Sequence, residues 1–356
     1  MSKVIVGMSG GVDSAVAAYL LKEAGHEVTG VTLRTWISDD AAEGKCCEID
    51  DARRAAVAIG IPYHTFNCVS EFESYVTKPF IDDYIKGITP NPCVVCNRYV
   101  KWDGMMNRLP VFGADLIATG HYAIVSELAN GRYTVKRSAA RAKDQTYMLY
   151  RLTQEQLKHT LFPLGNLTKE EVRDIAGRAG LPVADKKDSQ EICFVPDDDY
   201  AGYIERNSTD VLKGEGNFVD VEGKVLGRHK GIINYTVGQR KGLGLPLGYP
   251  AYVKCINAAT NEVVIAGEES LYSKKIICRD LNFMSIPDPA LGQSFTAVVK
   301  IRYHHAGAEA LVTKTGDDEV TVDFMEPVKA AAPGQSSVFY DEDGCVIGGG
   351  VITDAL

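Results

Sequence analysis

Ser9-Gly10-Gly11-Val12-Asp13-Ser14 stands between an apolar, strand-like run and a helical one, an arrangement that can hold a phosphate without a charged side chain. Gly10 and Gly11 let backbone N–H groups approach an anion closely, Ser9 and Ser14 add hydroxyl donors, and the helix start adds the positive end of its dipole. Missing is the lysine of the common NTPase loop, which follows charge onto the β and γ phosphates during γ-transfer. Asp13 instead could hold Mg²⁺ over a departing pyrophosphate and leave the α-phosphate open to attack. That chemistry transfers AMP. The plainer reading, glycines that only make a tight strand-to-helix turn, stays open at this point.

Cysteine supplies a second chemistry. Nine cysteines, an odd number, in 356 residues without an export signal argue against a disulfide framework and for thiol or metal use. Cys93 and Cys96 lie in TPNPCVVCNRYVKW, a proline-punctuated loop entering a predicted helix with Arg98 and Lys101 just beyond, a setting that favours the thiolate. Cys193 lies in KKDSQEICFVP, close to Lys186 and Lys187. Cys68, Cys255, Cys278 and Cys345 sit in apolar, strand-like contexts and read as small core residues. Two metal readings stand beside the thiol one. Cys46, Cys47, Cys93 and Cys96 could hold a structural zinc, although adjacent cysteines make poor tetrahedral partners. Cys93, Cys96 and Cys193 could instead hold three irons of a [4Fe–4S] cluster whose fourth iron binds sulfide.

The elements that must position these groups are legible from periodicity. KVIVGM (3–8) is a near-continuous apolar strand, DSAVAAYLLKEAG (13–25) a helix closed by Gly25, and EVTGVTL (27–33) a strand. The same helix, glycine, strand junction recurs in AVAIGIPYHTF and DIAGRAGLPV, so residues 1–202 read as an α/β domain with a doubly wound parallel sheet. From about Tyr203 the pattern becomes antiparallel β with turn pairs Glu222-Gly223 and Asp343-Gly344. It divides into a small β-rich domain, 203–273, and a C-terminal β-barrel, 274–356.

Apolar residues are 45% and charged residues 24%, as in an ordinary soluble protein, and no apolar run has the ~20 residues of a membrane span. A cytoplasmic location without membrane contact is the expectation. The net charge of −9 speaks against indiscriminate nucleic-acid binding. Locally, however, Arg132, Lys136, Arg137, Arg141, Lys143 and Arg151 face one acid, Asp144, and Lys224, Arg228, Lys230, Arg240 and Lys241 face none. Two such runs in an acidic chain point to RNA, with Tyr133, Tyr147 and Tyr235 able to stack on bases or to pack in the core. His121 reads as a hydrogen-bonding or core histidine, and Asp39, Asp40 and Glu43 as solvated loop.

SGGVDS resembles the loop of the ATP pyrophosphatase (PP-loop) superfamily. With NPCVVCNRYVKW, ATGHYA (118–123), KDQTYML (143–149), DSQEICFVP and PGQSSVFY (333–340), the whole chain resembles the bacterial tRNA-specific 2-thiouridylase family. The resemblance implies an adenine nucleotide alpha hydrolase-like catalytic domain that uses ATP and Mg²⁺. It implies ATP contacts at Gly7, Met8, Ser9, Gly10, Gly11, Val12, Asp13, Ser14, Leu33 and Gly120. It makes Cys96 the nucleophile and Cys193 the persulfide carrier, allowing a transient disulfide between them. Asn91, Pro92 and Cys93 would face the target base, and His121, Lys143, Asp144, Gln145, Arg302, Tyr303 and Gln335 the tRNA. Implied partners are Lys, Glu and Gln tRNAs, and a sulfur-relay protein or cysteine desulfurase. Many members of that family carry aspartate where this chain has Cys93. Two rival functions share parts of the pattern: an amide-forming adenylating ligase, which needs no paired thiols, and a non-enzymatic RNA-binding or nucleotide-sensing module.

Overall fold

The computed structural model describes residues 1–36, 47–186, 192–195 and 197–356. Asp39, Asp40, Glu43, Cys46 and Lys187 lie outside the described residues, as does the Cys47 side chain.

Five parallel strands form the first sheet, in the order Tyr63–Asn67, Glu27–Arg34, Lys3–Gly7, Leu116–Thr119, Thr160–Leu161. Val4 and Val6 point to one buried face and Ile5 to the other, the near-continuous apolar run that a strand covered on both sides requires. Helices Val12–Glu23, Cys47–Ile59 and Lys169–Arg178 cover the first face. Trp102, Met105, Leu109 and Tyr147 cover the second. The chain leaves Lys3–Gly7 toward one neighbour and returns later to the other, so the order of strands reverses at its carboxyl end. Doubly wound sheets open their ligand crevice at that point.

Gly25, Gly60 and Gly180 end helices with φ of +85°, +73° and +64°, the left-handed conformation expected of them. The strand expected after Gly180 is absent. Residues 182–185 turn instead, and Leu181 and Val183 are buried against the helices that cover the first face.

One feature of the domain has no helix-strand signature in the sequence. Ala123–Glu127 and Tyr133–Arg137 form a hairpin outside the main sheet, and it docks on the C-terminal barrel. Thr134 Oγ1 donates to the Val346 carbonyl at 2.6 Å and Arg137 N to Gly344 O at 3.0 Å. The Arg132 guanidinium donates to the carbonyls of Met284 at 2.7 Å and Phe283 at 2.8 Å.

Helix Tyr200–Asn207 leads to a four-stranded sheet in the order Tyr252–Asn257, Glu262–Ala266, Gly216–Val219, Val225–His229. The antiparallel expectation fails at one pair: Glu262–Ala266 runs parallel to Gly216–Val219, because the two are joined not by a hairpin but by a long connection that includes two other strands of the sheet. From Tyr272 the chain closes a six-stranded antiparallel barrel, Tyr272–Phe283, Glu319–Lys329, Ala308–Gly316, Ser294–Lys300, Ser336–Tyr340, Val346–Ala355. Closure removes the unpaired edges that an open sheet would leave. Among the described residues no helix is long and apolar enough to cross a membrane.

The barrel is fixed to the α/β domain through Gly334. Its φ is +90°, and a Cβ there would lie 2.3 Å from Ile88 Cγ2 and 2.8 Å from the Thr89 carbonyl. Gly334→Ala is therefore expected to lower the unfolding free energy by about 2–4 kcal/mol, from left-handed strain plus overpacking. Urea denaturation checks it: an unchanged midpoint would show that this contact does not hold the two domains together.

Candidate active site

The phosphate loop sits at the carboxyl end of Lys3–Gly7, where the strand order reverses. Met8 N donates to Val31 O at 2.8 Å, and Thr32 Oγ1 donates to Met8 O at 2.6 Å, so the second strand clamps the loop's entry. Gly10 has φ +76°, which only glycine adopts at low cost, and Gly11 precedes helix Val12–Glu23 with no side-chain cap. The first N–H groups of that helix are thereby left to an anion. Ser9 N donates to Ser14 Oγ at 3.1 Å, and Ser14 Oγ in turn to Gly11 O at 3.1 Å, tying the loop into a cup.

Gly120, at the end of the adjacent strand, belongs to the same cup for a steric reason. A Cβ at 120 would fall 2.6 Å from Ser14 N and 2.7 Å from Asp13 C. A Cβ at position 7 would likewise lie 3.1 Å from the Met105 sulfur. Leu33 is half-buried at the end of the second strand, in contact range of Gly104.

Asp13 lies in the first turn of the loop's helix, and its carboxylate is already engaged. Lys169 Nζ stands 2.7 Å from Oδ1 and 2.9 Å from Oδ2, and the Tyr122 hydroxyl donates to Oδ1 at 2.8 Å. A second lysine, Lys186, donates to the Gly10 carbonyl at 3.1 Å and to Asp51 at 2.7 Å, and this holds the Asp51 carboxyl below its usual range. The sequence reading gave neither lysine to the loop: it set Lys186 beside Cys193 and did not name Lys169. Mg²⁺ takes one or two carboxylates and completes its shell with water and phosphate. Asp13 fits that use provided Lys169 yields.

Cys96 and the Cys193 segment come from distant parts of the chain, and Cys96 and Phe194 share one buried cluster. Phe194, next to Cys193, packs edge-on against Phe72 and Phe80 with ring centroids 5.5 Å and 5.2 Å apart. Phe72, Cys68 and Cys96 belong to the same buried cluster. Cys96 is buried and Cys193 exposed, with no disulfide joining them. The expectation of a thiolate at Cys96 is reversed. Burial pushes its thiol up to about 11, further raised by Cys93 and Cys68, and the cation Lys101 opposes this only in part. The Arg98 guanidinium is held at Gln156 Oε1, 2.6 Å away. Cys93 is open to solvent at a crowded mouth, and its thiol is also raised by desolvation.

Among the described residues no three His, Cys, Asp or Glu side chains stand close enough to hold a metal, so the arrangement gives no support to a [4Fe–4S] site on Cys93, Cys96 and Cys193. Of the cysteines read as core, Cys68, Cys278 and Cys345 are buried, whereas Cys255 is exposed.

The barrel reaches the loop that carries Asn91, Pro92 and Cys93. Gln335 Nε2 donates to Thr89 O at 3.0 Å and Pro90 O at 3.2 Å, and Asn91 Oδ1 caps the helix Pro92–Val95. The buried Tyr147 donates to Ser336 O at 2.8 Å, and its ring lies 6.1 Å from that of Tyr303. A cavity of 430 Å³ opens here, lined among others by Asn91, Val94, Arg151 and Ser336. Asp144 accepts from Ser138 N at 2.9 Å and Thr146 Oγ1 at 2.5 Å. Gln145 exchanges two hydrogen bonds with the Tyr122 backbone, at 2.9 and 3.0 Å. Lys143 is half-buried beside them and Arg302 is exposed. His121 bonds Thr119 through Nδ1 at 2.8 Å and packs against Trp102, and burial pushes its pKa down to about 3. It is neutral at physiological pH.

Two of the basic residues counted in sequence are spent internally. Arg132 caps barrel carbonyls, and Arg151 pairs with Asp280 at 2.6 Å. Tyr147 and Tyr235 are core residues.

Comparison with known proteins places this architecture. A family model described as "tRNA methyl transferase HUP domain" matches residues 2–197, one described as "tRNA methyl transferase PRC-barrel domain" 208–267, and one described as "Aminomethyltransferase beta-barrel domain" 273–352. The tRNA-specific 2-thiouridylase MnmA of Lachnoclostridium phytofermentans is 52% identical over 99% of this chain and 99% of its own. Those of Acetivibrio thermocellus and Clostridioides difficile are 51% and 47% identical, over 98% and 99% of this chain and 99% of each of theirs. The chain belongs to the tRNA-specific 2-thiouridylase family.

In this family member the burial difference between the two thiols has a direct chemical readout. With iodoacetamide and no ligand, Cys193 is expected to react first at neutral pH, while the rate at Cys96 climbs until about pH 10 or above. Peptide mass spectrometry across pH checks it. A plateau for Cys96 below about pH 8 would show that its thiol is already activated in the resting protein.

Proposed function

We propose that this protein is a tRNA-uridine 2-sulfurtransferase that activates C2 of a wobble uridine with ATP and replaces its oxygen by sulfur. The observation that carries the reading is the pairing, in one chain, of a glycine phosphate cup without a loop lysine and a buried cluster that holds Cys96 together with Phe194, the neighbour of Cys193. The descriptions of the matched domains speak of methyl transfer, but a pair of thiols suits a sulfur relay.

The uracil C2 oxygen is a very poor leaving group. It attacks the α-phosphorus of ATP, the bond from that phosphorus to the bridging oxygen breaks with its electron pair leaving on pyrophosphate, and the N3 proton is lost. Gly10, Gly11 and the N–H groups of helix Val12–Glu23 receive the phosphates. Asp13 is the carboxylate that would hold Mg²⁺, which supplies charge neutralisation at the phosphates when bound.

Sulfur arrives as a persulfide on Cys193, loaded by a desulfurase or relay protein that the exposed position of this residue can meet. In one route the terminal sulfur attacks C2 and AMP leaves. Cys96 then attacks the Cys193 sulfur, freeing the thiolated base and forming a Cys96–Cys193 disulfide. In the other, Cys96 attacks first and releases hydrosulfide, which adds at C2. Both routes oxidise two thiols for each sulfur reduced, so an external dithiol must reset the pair. Because Cys96 rests as a buried thiol, it must lose its proton before it can attack.

For tRNA, the supporting surface joins the hairpin of the first domain to the barrel. Lys300 has its pKa lowered by burial and by Arg137, and His305 by burial, Arg302 and Lys300. Such crowded cations are relieved by phosphates, which makes binding salt-dependent. Asn91 lines the cavity where the base would enter, and Pro92 and Cys93 follow it in the chain.

Cys96→Ser and Cys193→Ser are each expected to abolish 2-thiouridine formation while leaving tRNA affinity within about threefold. Nucleoside mass spectrometry and gel shift measure the two. Pyrophosphate release that depends on tRNA must persist in both variants, and thiolation near the wild-type level in either would refute the roles assigned.

A further inference from the structure

We propose that Tyr122 is a positioning residue that couples the two substrates: RNA held at residues 143–145 tightens nucleotide at the phosphate cup, and nucleotide tightens RNA by the same factor. This rests on the ATP- and tRNA-dependent reading above.

Tyr122 is 2% exposed and is bonded toward both sites. Its hydroxyl donates at 2.8 Å to Oδ1 of Asp13, in the first turn of the helix that opens the phosphate cup. On the other side, Tyr122 N donates to Gln145 Oε1 at 2.9 Å, and Gln145 N donates to Tyr122 O at 3.0 Å. A core tyrosine needs a partner for its hydroxyl, and any backbone carbonyl would serve. Here the partner is the carboxylate that the nucleotide site itself requires.

Gln145 is arranged to receive a ligand. Its side-chain oxygen is committed to Tyr122 N, and among the described residues its amide nitrogen has no partner, so two N–H donors are left for a phosphate or a base edge. With Oε1 fixed on a backbone N–H, the amide cannot turn toward a ligand without drawing on Tyr122. The chain leading to Tyr122 has no slack, because Gly120 lies so close to the phosphate-loop helix that a Cβ there would fall 2.7 Å from Asp13 C. Motion at Gln145 therefore reaches the Tyr122 hydroxyl and its bond to Asp13.

In the free protein the Tyr122 hydroxyl and the Lys169 ammonium both hold Asp13. Asp13 must give up part of this shell before it can serve Mg²⁺ and the phosphates. RNA that draws Tyr122 back loosens Asp13 in advance. Conversely, Asp13 turned toward a nucleotide frees Tyr122 to follow Gln145. One equilibrium serves both ligands, so the effect is reciprocal. Were the held arrangement about nine-tenths of the free protein, nucleotide affinity would be reduced about tenfold until RNA is bound.

Calorimetry on the full chain measures this without turnover, using Mg²⁺, α,β-methylene ATP, which cannot release pyrophosphate, and a tRNA transcript carrying a wobble uridine. Wild-type protein is expected to bind the analogue about five- to tenfold more tightly with saturating tRNA, and to bind tRNA more tightly with the analogue by the same factor. Tyr122→Phe keeps the ring and removes the bond to Asp13. It should bind the analogue alone within about twofold of the wild-type affinity measured with tRNA, and gain nothing further from tRNA. A purely structural tyrosine predicts the opposite, weaker analogue binding in Tyr122→Phe. That result overturns the proposal, as does a wild-type factor below about two or a factor that Tyr122→Phe retains. Should Tyr122→Phe fail to fold, Gln145→Met, which cannot hold Tyr122 N, must also erase the factor even though its tRNA affinity falls, and a factor that survives there overturns the proposal. Wild-type protein that binds neither the analogue nor tRNA would sink the functional reading itself, an outcome distinct from failure of the coupling.

Discussion

The constraint on which the rest depends is a backbone contact that only glycine permits. Gly120, at the end of one central strand, lies against the backbone of Asp13 and Ser14 at the start of the helix leaving the other. Any side chain at 120 would push the strand end off the helix start, and the phosphate cup lies in the seam between them. The strand clamp at Met8, the bonds among Ser9, Gly11 and Ser14, and the Asp13 carboxylate all refer to this seam. A site for a polyanion is built here from backbone donors and helix ends, and the side-chain charge reaches it from elsewhere in the chain.

The C-terminal barrel is part of the candidate active site's architecture. Gln335 and Gly334 hold the segment that leads into Asn91, Pro92 and Cys93, and Tyr147 links the first domain to the Ser336 carbonyl. Residues that resemblance assigns to tRNA are thus partly engaged inside the protein: Asp144 with Ser138 and Thr146, Gln145 with Tyr122. The Gln145 bond reaches, through Tyr122, to Asp13. A ligand that engages this loop therefore acts on groups in direct hydrogen-bonded continuity with the phosphate cup.

The two thiols are set up asymmetrically. Cys193 is exposed, and Cys96 is buried among aromatics, where desolvation keeps it protonated. The edge-on contacts of Phe194 with Phe72 and Phe80 keep the Cys193 segment at the cluster that encloses Cys96, although 97 positions separate the two cysteines in sequence.

The sequence alone determined the parallel sheet, the glycine-ended helices, the lysine-free loop and the two separated thiol motifs, because each is local: a period, a turn residue, a spacing. It also carried the change to β structure after the first domain. What it could not carry were pairings between distant segments. Lys169 and Lys186 at the phosphate loop, the hairpin bound to the barrel, the parallel pair in the middle sheet and the loss of Arg132 and Arg151 from the basic surface all depend on which segments pack together. The state of Cys96 was misjudged for the same reason. Neighbouring cations in sequence favour a thiolate, but burial is a property of the folded chain, and here desolvation outweighs the charge of Lys101.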